Sequence, residues 1–282
     1  MLKGNAMDDA SYLDQLFAED CLEGMRKRLP DGCVDVIVTS PPYNIGTRYD
    51  THKDDMPFDA YLDWMEAVAG ECRRVLKDSG SFFLNIGDKA RDELRSFRVA
   101  ERVGRHFVLQ NTIHWVKSLA APEEGVNMGH YKPVNSLRYL NNCHEYIFHF
   151  TKTGSVALDK LAIGVPYQDK SNIGRWKRAT QDLRDRGNTW YIPYETVVSA
   201  KPHPAAFPDK LPEMCIRLHG LRQGEPMVVL DPFMGTGTTA VAAVGLGAFY
   251  IGFEMSQAYV KSALDRLRAC RDAAQARPSV AA

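Results

Sequence analysis

The 282-residue chain lacks any net charge, because 35 Lys+Arg balance 35 Asp+Glu. A protein that lives on nucleic acid usually carries a basic excess, so the total alone argues against a polynucleotide partner. Paired cysteines are lacking too. Cys21, Cys33, Cys72, Cys143, Cys215 and Cys270 are scattered without a C-x-x-C pair, which reads as reduced thiols of a cytoplasmic protein and excludes a disulfide frame or a cysteine-based zinc site. The first fifteen residues are acidic and hold no apolar core, so no secretory signal is expected. The longest nearly uncharged run, residues 236–253, is broken by Gly237, Gly245, Gly247 and Gly252 and reads as helix, turn and strand; no membrane contact is expected. Neither repeats nor low-complexity tracts occur. With 45% hydrophobic and 25% charged residues, the chain has the composition of a globular protein with one large or two small domains.

What is present is alternation. Short β-branched runs (16–18, 34–39, 81–86, 107–115, 144–151, 228–231 and 249–254) are interleaved with helical patterns at 59–77, 91–104, 209–220, 238–245 and 257–271. In the first of these helices Tyr61, Met65, Val68, Cys72 and Val75 share one face, with Asp59 as the expected N-cap. Such alternation predicts a doubly wound α/β sheet. One stretch, Gly154 to about Pro202, breaks it, being polar and without sustained periodicity, and reads as an insertion. Residues 170–186 within it hold six basic residues against two acidic ones, with Trp176 among them. Residues 1–66 hold fourteen Asp/Glu against six Lys/Arg. The zero total therefore hides an acidic first quarter and a basic remainder.

Two segments carry chemistry. Thr39-Ser40-Pro41-Pro42-Tyr43 follows an apolar strand, at the carboxyl end where open α/β sheets bind ligands. Two prolines fix the backbone and supply no N–H, leaving the Ser40 and Pro41 carbonyls as rigid acceptors beside the flat Tyr43 ring. That suits a planar heterocycle with an exocyclic NH2, although a simple strand-ending turn explains the residues as well. The second segment, Asp231-Pro232-Phe233-Met234-Gly235-Thr236-Gly237-Thr238-Thr239, links another strand to a small-residue helix. It has no Walker lysine and does not read G-x-G-x-x-G. An acidic start followed by glycines fits a cofactor bearing a cation better than a pyrophosphate. Glu254 closes the next strand, where a carboxylate can accept both hydroxyls of a ribose.

TSPPY, HPAAFP, DPFMGTGTTAVAA and YIGFE together resemble the S-adenosylmethionine-dependent amino-methyltransferases of DNA. The resemblance covers almost the whole chain, and the motif order, with SPPY first and the glycine loop last, is similar to the permuted β group. It implies a Rossmann-like α/β fold with a mostly parallel seven-stranded sheet, helices on both faces and a circularly permuted order. It divides the chain into a catalytic half (1–153), a target-recognition insertion (154–200) and a cofactor-binding half (201–282) of the same domain. S-adenosyl-L-methionine is the implied cofactor. Asp231, Phe233, Gly235 and Gly237 would wrap its methionine part, with Pro232, Thr236 and Thr238 in the same loop, and Glu254 would bind the ribose. Asp20, with Cys21 beside it, stands where the family contacts adenine; as a bare sequence feature, Asp20 equally reads as a helix cap. His203, Pro204 and Phe207 would close the other side, with no metal involved.

Ser40, Pro41, Pro42 and Tyr43 are then the catalytic residues. A delocalised amino lone pair points nowhere useful, and acceptors for its N–H groups free it to face a sulfonium methyl. The base must leave the duplex and stack on Tyr43. Relatives acting on adenine N6 mostly carry Asp at the first motif position and those acting on cytosine N4 mostly Ser, so Ser40 implies cytosine N4. Adenine N6 is the alternative; an RNA or protein-amide substrate, or an inactive DNA-binding module, stands behind it. Residues 44–57 read as a loop that orders on DNA, with His52 and Lys53 as plain surface residues. His144 and Glu145 either shape the base pocket or are ordinary strand residues. Arg175, Lys177, Arg178, Arg184 and Arg186 are candidate contacts to double-stranded DNA. A homodimer and a companion restriction endonuclease are further partners that the resemblance leaves open.

Overall fold

The computed structural model describes residues 10–51, 54–130, 133–175, 181–193, 207–221 and 224–275. In chain order the elements are β1 (Gln15–Phe17), α1 (Cys21–Arg28), β2 (Val34–Thr39), α2 (Phe58–Val75), β3 (Leu76–Ile86), α3 (Arg95–Val103), β4 (Val108–Val116), β5 (Ser118–Ala121), β6 (Val126–Gly129), β7 (His144–Thr151), β8 (Thr189–Tyr191), α4 (Lys210–His219), β9 (Val228–Asp231), α5 (Thr238–Gly245), β10 (Phe249–Phe253) and α6 (Gln257–Gln275). The sheet runs β1-β10-β9-β2-β3-β7-β4-β8. Only β7 lies antiparallel to its neighbours β3 and β4. β5 and β6 form a separate hairpin.

All seven expected strands are present. An eighth, β8, pairs in parallel with β4 and buries Trp190; three residues are too few to show a period in sequence. Because β8 and the buried Ile192 lie within the irregular stretch, that part of it belongs to the sheet's edge.

The central strands are buried on both faces, as parallel strands covered by crossover helices must be. On one face Ile37, Phe82, Leu84, Ile86, Phe148 and Phe150 pack with α1, α2 and α3. On the other, Val36, Val38, Phe83, Ile113, Trp115 and Ile147 pack with α4, α5 and Leu267 of α6. Adjacent residues of β2 and β3 thus serve opposite cores, which is the period-two rule of a strand.

Two helix starts differ from expectation. Pro57 occupies the N-cap of α2 and no side chain caps it, so Asp59 is a first-turn residue whose charge complements the helix dipole. Helix α3 begins at Arg95 rather than near residue 91, because Arg91 adopts φ +80°, which a helix cannot contain.

Candidate active site

β2 and β9 are neighbours in the sheet, with Val36 beside Val229 and Ile37 beside Leu230. Their carboxyl ends therefore bring Thr39–Tyr43 against Asp231–Thr239, although 192 positions separate Thr39 from Asp231. Both segments line one cavity of about 330 Å³.

At the end of β9, Asp231 is buried and accepts hydrogen bonds from Thr39 Oγ1 (2.6 Å), Thr239 Oγ1 (2.7 Å) and the Phe233 amide (3.0 Å). Burial still raises its pKa to about 6. Its role is thus first internal, locking the strand ends of β2 and β9 to the first turn of α5. Glu254 accepts from the Gly235 amide at 3.0 Å and the Ser256 amide at 2.7 Å, and burial raises its pKa as well. Gly237 stands at φ +85°, and a Cβ there would sit 2.8 Å from Ala263 Cβ, so the loop needs glycine both for its turn and for the approach of α6. Pro232, Phe233, Gly235, Thr236 and Thr238 line the cavity, as do Phe207, Cys21 and Asp20. Asp20 is the helix cap that the sequence offered. Its Oδ1 caps α1 through the Leu22 and Glu23 amides at 2.9 and 3.1 Å, while the residue borders the cavity.

At the end of β2, Ser40, Pro41, Pro42 and Tyr43 line the same cavity. Tyr61 Oη donates to the Pro42 carbonyl at 2.8 Å, whereas no donor among the described residues takes up the Pro41 carbonyl. The Tyr43 hydroxyl lies 2.9 Å from Ser40 Oγ and donates to Glu145 Oε2 at 2.8 Å. Asn85 Nδ2 donates to Tyr43 Oη (2.7 Å) and Glu145 Oε2 (2.9 Å). Lys117 pairs with Glu145 Oε1 at 2.9 Å. Burial, then the Glu145 charge, pushes the Tyr43 phenol well above its ordinary value, so it stays protonated. In strand β7, Glu145 lines the cavity, whereas His144 lies in a ring cluster with His114 and Tyr146.

Residues 44–47 are drawn together by Asp54. It is 3% exposed and accepts from the Asn44, Ile45 and Thr47 amides at 2.6, 3.1 and 2.9 Å. Asp50 accepts from Ser256 Oγ at 2.6 Å, which fastens this loop to the start of α6 beside Glu254. Thr47, Tyr49 and Thr51 complete the cavity wall. These roles, and that of Asn85, escaped sequence reasoning. Asp54 could have been suspected as a single carboxylate among turn-forming residues; Asn85 had no local signal.

Arg175 and Arg184 are exposed, outside the cavity, while Arg186 Nε donates to the Ile163 carbonyl at 2.9 Å. Lys177, Arg178, His203, Pro204, His52, Lys53 and Trp176 lie outside the described residues. Among the described residues no group of His, Cys, Asp and Glu could hold a metal ion, and no helix is long and apolar enough to cross a membrane.

Residues 34–265 match the N6/N4 DNA methylase family, and the chain belongs to it: an S-adenosylmethionine-dependent amino-methyltransferase of the N4/N6 type. Among curated proteins it is 29% identical to the Type II methyltransferase M.BglII of Bacillus subtilis, over 88% of this chain and 67% of that one. It is 28% identical to the DNA adenine methyltransferase YhdJ of Escherichia coli K12, over 86% and 78%. Among solved structures, the cytosine-N4-specific PvuII DNA methyltransferase superposes with a TM-score of 0.67 at 22% identity, covering 92% of this chain and 90% of that one, a likeness of fold. A putative DNA modification methylase of Thermus thermophilus, complexed with S-adenosyl-L-methionine, superposes at 0.61 with 25% identity, over 91% and 93%.

Proposed function

We propose that this methyltransferase modifies the exocyclic N4 of cytosine in a base flipped out of a specific DNA sequence. The observation that carries this is the joining of the Ser40–Tyr43 acceptor motif and the Asp231–Thr238 loop in one cavity, with Ser40 at the first motif position. The cavity fits S-adenosyl-L-methionine: the Glu254 carboxylate suits ribose hydroxyls, the Gly235 backbone permits close approach, and Phe233, Phe207 and Tyr259 supply apolar walls, while Gly237 sits behind the loop against α6. When bound, the cofactor supplies an electrophilic methyl on sulfur, and the sulfur keeps the bonding pair as the methyl leaves. Ser40 Oγ and the Pro41 carbonyl accept the two N–H groups, so the nitrogen lone pair turns out of the ring plane toward that methyl. Tyr43 stacks on the base. The methylated nitrogen then loses one proton to water, and no covalent enzyme intermediate is required. Three of the cysteines, Cys21, Cys72 and Cys215, are buried thiols whose pKa is pushed up by burial, unsuited to nucleophilic attack.

Adenine N6 is the second reading, favoured by the similarity to YhdJ. Phosphate and base contacts from Arg175, Arg184 and Arg186, with Lys177 and Arg178, belong to the proposal. So do the division into residues 1–153, 154–200 and 201–282, closure of the cofactor site by His203 and Pro204, a companion endonuclease and a homodimer. The roles separate by measurement. Ser40→Ala lowers methyl transfer by about a hundredfold while calorimetric cofactor affinity stays within about twofold. Glu254→Gln weakens cofactor binding by about tenfold first. Equal loss of both functions in either variant contradicts the assignment.

A further inference from the structure

The hydrogen bonds around Ser40 leave little freedom in where protons sit. Tyr43 has one hydroxyl proton, and the strongest acceptor in reach is the Glu145 carboxylate, 2.8 Å away. Asn85 Nδ2 brings only donors to the cluster, lying 2.7 Å from Tyr43 Oη, 2.9 Å from Glu145 Oε2 and 3.4 Å from Ser40 Oγ, so it offers no acceptor to the Ser40 proton. A flipped Asn85 amide would set its oxygen against the Glu145 carboxylate, so the charge fixes the amide's orientation as well. With the Tyr43 proton on Glu145, the 2.9 Å contact between Ser40 Oγ and Tyr43 Oη has only one proton available to it, the hydroxyl proton of Ser40.

We propose that Glu145, held by Lys117 and Asn85, is a positioning residue that acts through Tyr43 to turn the Ser40 proton away from the cavity, leaving Ser40 Oγ acceptor-only toward the target amino group. A free serine hydroxyl can equally present a proton, which would repel an N–H. The directed chain from Ser40 to Tyr43 to Glu145 removes that option, and gives a neutral hydroxyl the one-sided character of a carboxylate oxygen. Lys117, 2.9 Å from Glu145 Oε1, offsets the cost of keeping Glu145 charged beside the cavity. A second observation points the same way. Asn85 Oδ1 is buried without a hydrogen-bond partner, a cost that the fold bears while the amide nitrogen faces Tyr43, Glu145 and Ser40.

This inference rests on Ser40 being the acceptor for the amino group. The test is a double-mutant cycle on the full chain: single-turnover methyl transfer from labelled S-adenosylmethionine to unmethylated chromosomal DNA by the unaltered protein, Ser40→Ala, Tyr43→Phe and the double variant. Cofactor affinity of each is measured by calorimetry. Tyr43→Phe keeps the stacking ring and removes one oxygen; the expected result is a rate lowered by about tenfold with cofactor affinity unchanged. In the Ser40→Ala background the same change should alter the rate by less than about twofold, because the hydroxyl it orients is gone. Glu145→Gln should likewise slow the unaltered protein and be nearly silent once Tyr43 is Phe. If Tyr43→Phe costs the same factor with and without Ser40, or costs nothing in the unaltered protein, the proposal is overturned. Full activity of Ser40→Ala would instead overturn the acceptor reading, and N6-methyladenine as product would overturn only the choice of base. Should Glu145→Gln fail to fold, the Tyr43 and Ser40 cycle alone decides.

Discussion

Asp231 shows how much one residue can be asked to do. Its carboxylate is 1% exposed, and desolvation lifts its pKa from 3.8 to about 6 against the pull of Thr39 and Thr239. Between those two values the folded chain still holds the proton that the unfolded chain has lost. Folding then takes up a proton, so stability falls as pH rises through this window, by about 3 kcal/mol if the whole shift is realised. Asp231→Asn should remove that part of the slope, read from urea unfolding at pH 4, 5, 6 and 7; an unaltered slope would assign it elsewhere. Asp231, Glu254, Ser40 and Tyr43 were legible in sequence because each sits in a contiguous motif at the end of an apolar strand. Asn85, Lys117 and Glu145 converge only through the register of three strands, where Ile147 lies opposite both Asn85 and Ile113. No local pattern encodes that register, so the polar half of the β2 end stayed hidden, although Glu145 was suspected for its place in the strand.

At the scale of elements, the loop between β2 and α2 joins the two halves of the cavity. Its backbone N–H groups converge on Asp54, and Asp50 reaches Ser256 next to Glu254. Asp54→Ala leaves three amides without their acceptor and should lower stability by about 2 kcal/mol or more, with faster proteolytic cleavage between residues 44 and 57. Stability within error of the unaltered protein would show that water replaces the carboxylate. Asp50→Ala should weaken cofactor binding by about threefold to tenfold with little change in global stability, as calorimetry and urea unfolding can show; an unchanged affinity would separate this contact from cofactor binding. Strands and most helices could be read from their periods. The start of α2 at Pro57 and the brief β8 could not, since a proline N1 or N-cap competes with any nearby Asp and β8 is defined by the strand it joins.

For the whole molecule, zero net charge proved to be a sum of unlike parts, acidic over residues 1–66 and basic beyond. Within the basic stretch the structure separates the residues further. Lys170 is paired with Asp182 at 2.6 Å and Arg186 holds the Ile163 carbonyl, whereas Arg175 and Arg184 are exposed and, among the described residues, their side chains bond only to the neighbouring Asn172 and Asp185. The double variant Arg175→Ala, Arg184→Ala should weaken DNA binding across all sequences and reduce the slope of log affinity against log salt by about 1 to 2. Arg186→Ala should act mainly on stability. A salt slope that the double variant leaves unchanged would place the phosphate contacts on another face. The central claim, that acceptors at Ser40 and Pro41 serve a flipped cytosine, is tested most directly by the product. Unmethylated DNA incubated with methyl-labelled S-adenosylmethionine and digested to nucleosides should carry its label in N4-methylcytosine by mass spectrometry; label in N6-methyladenine, or in no nucleoside at all, would contradict it.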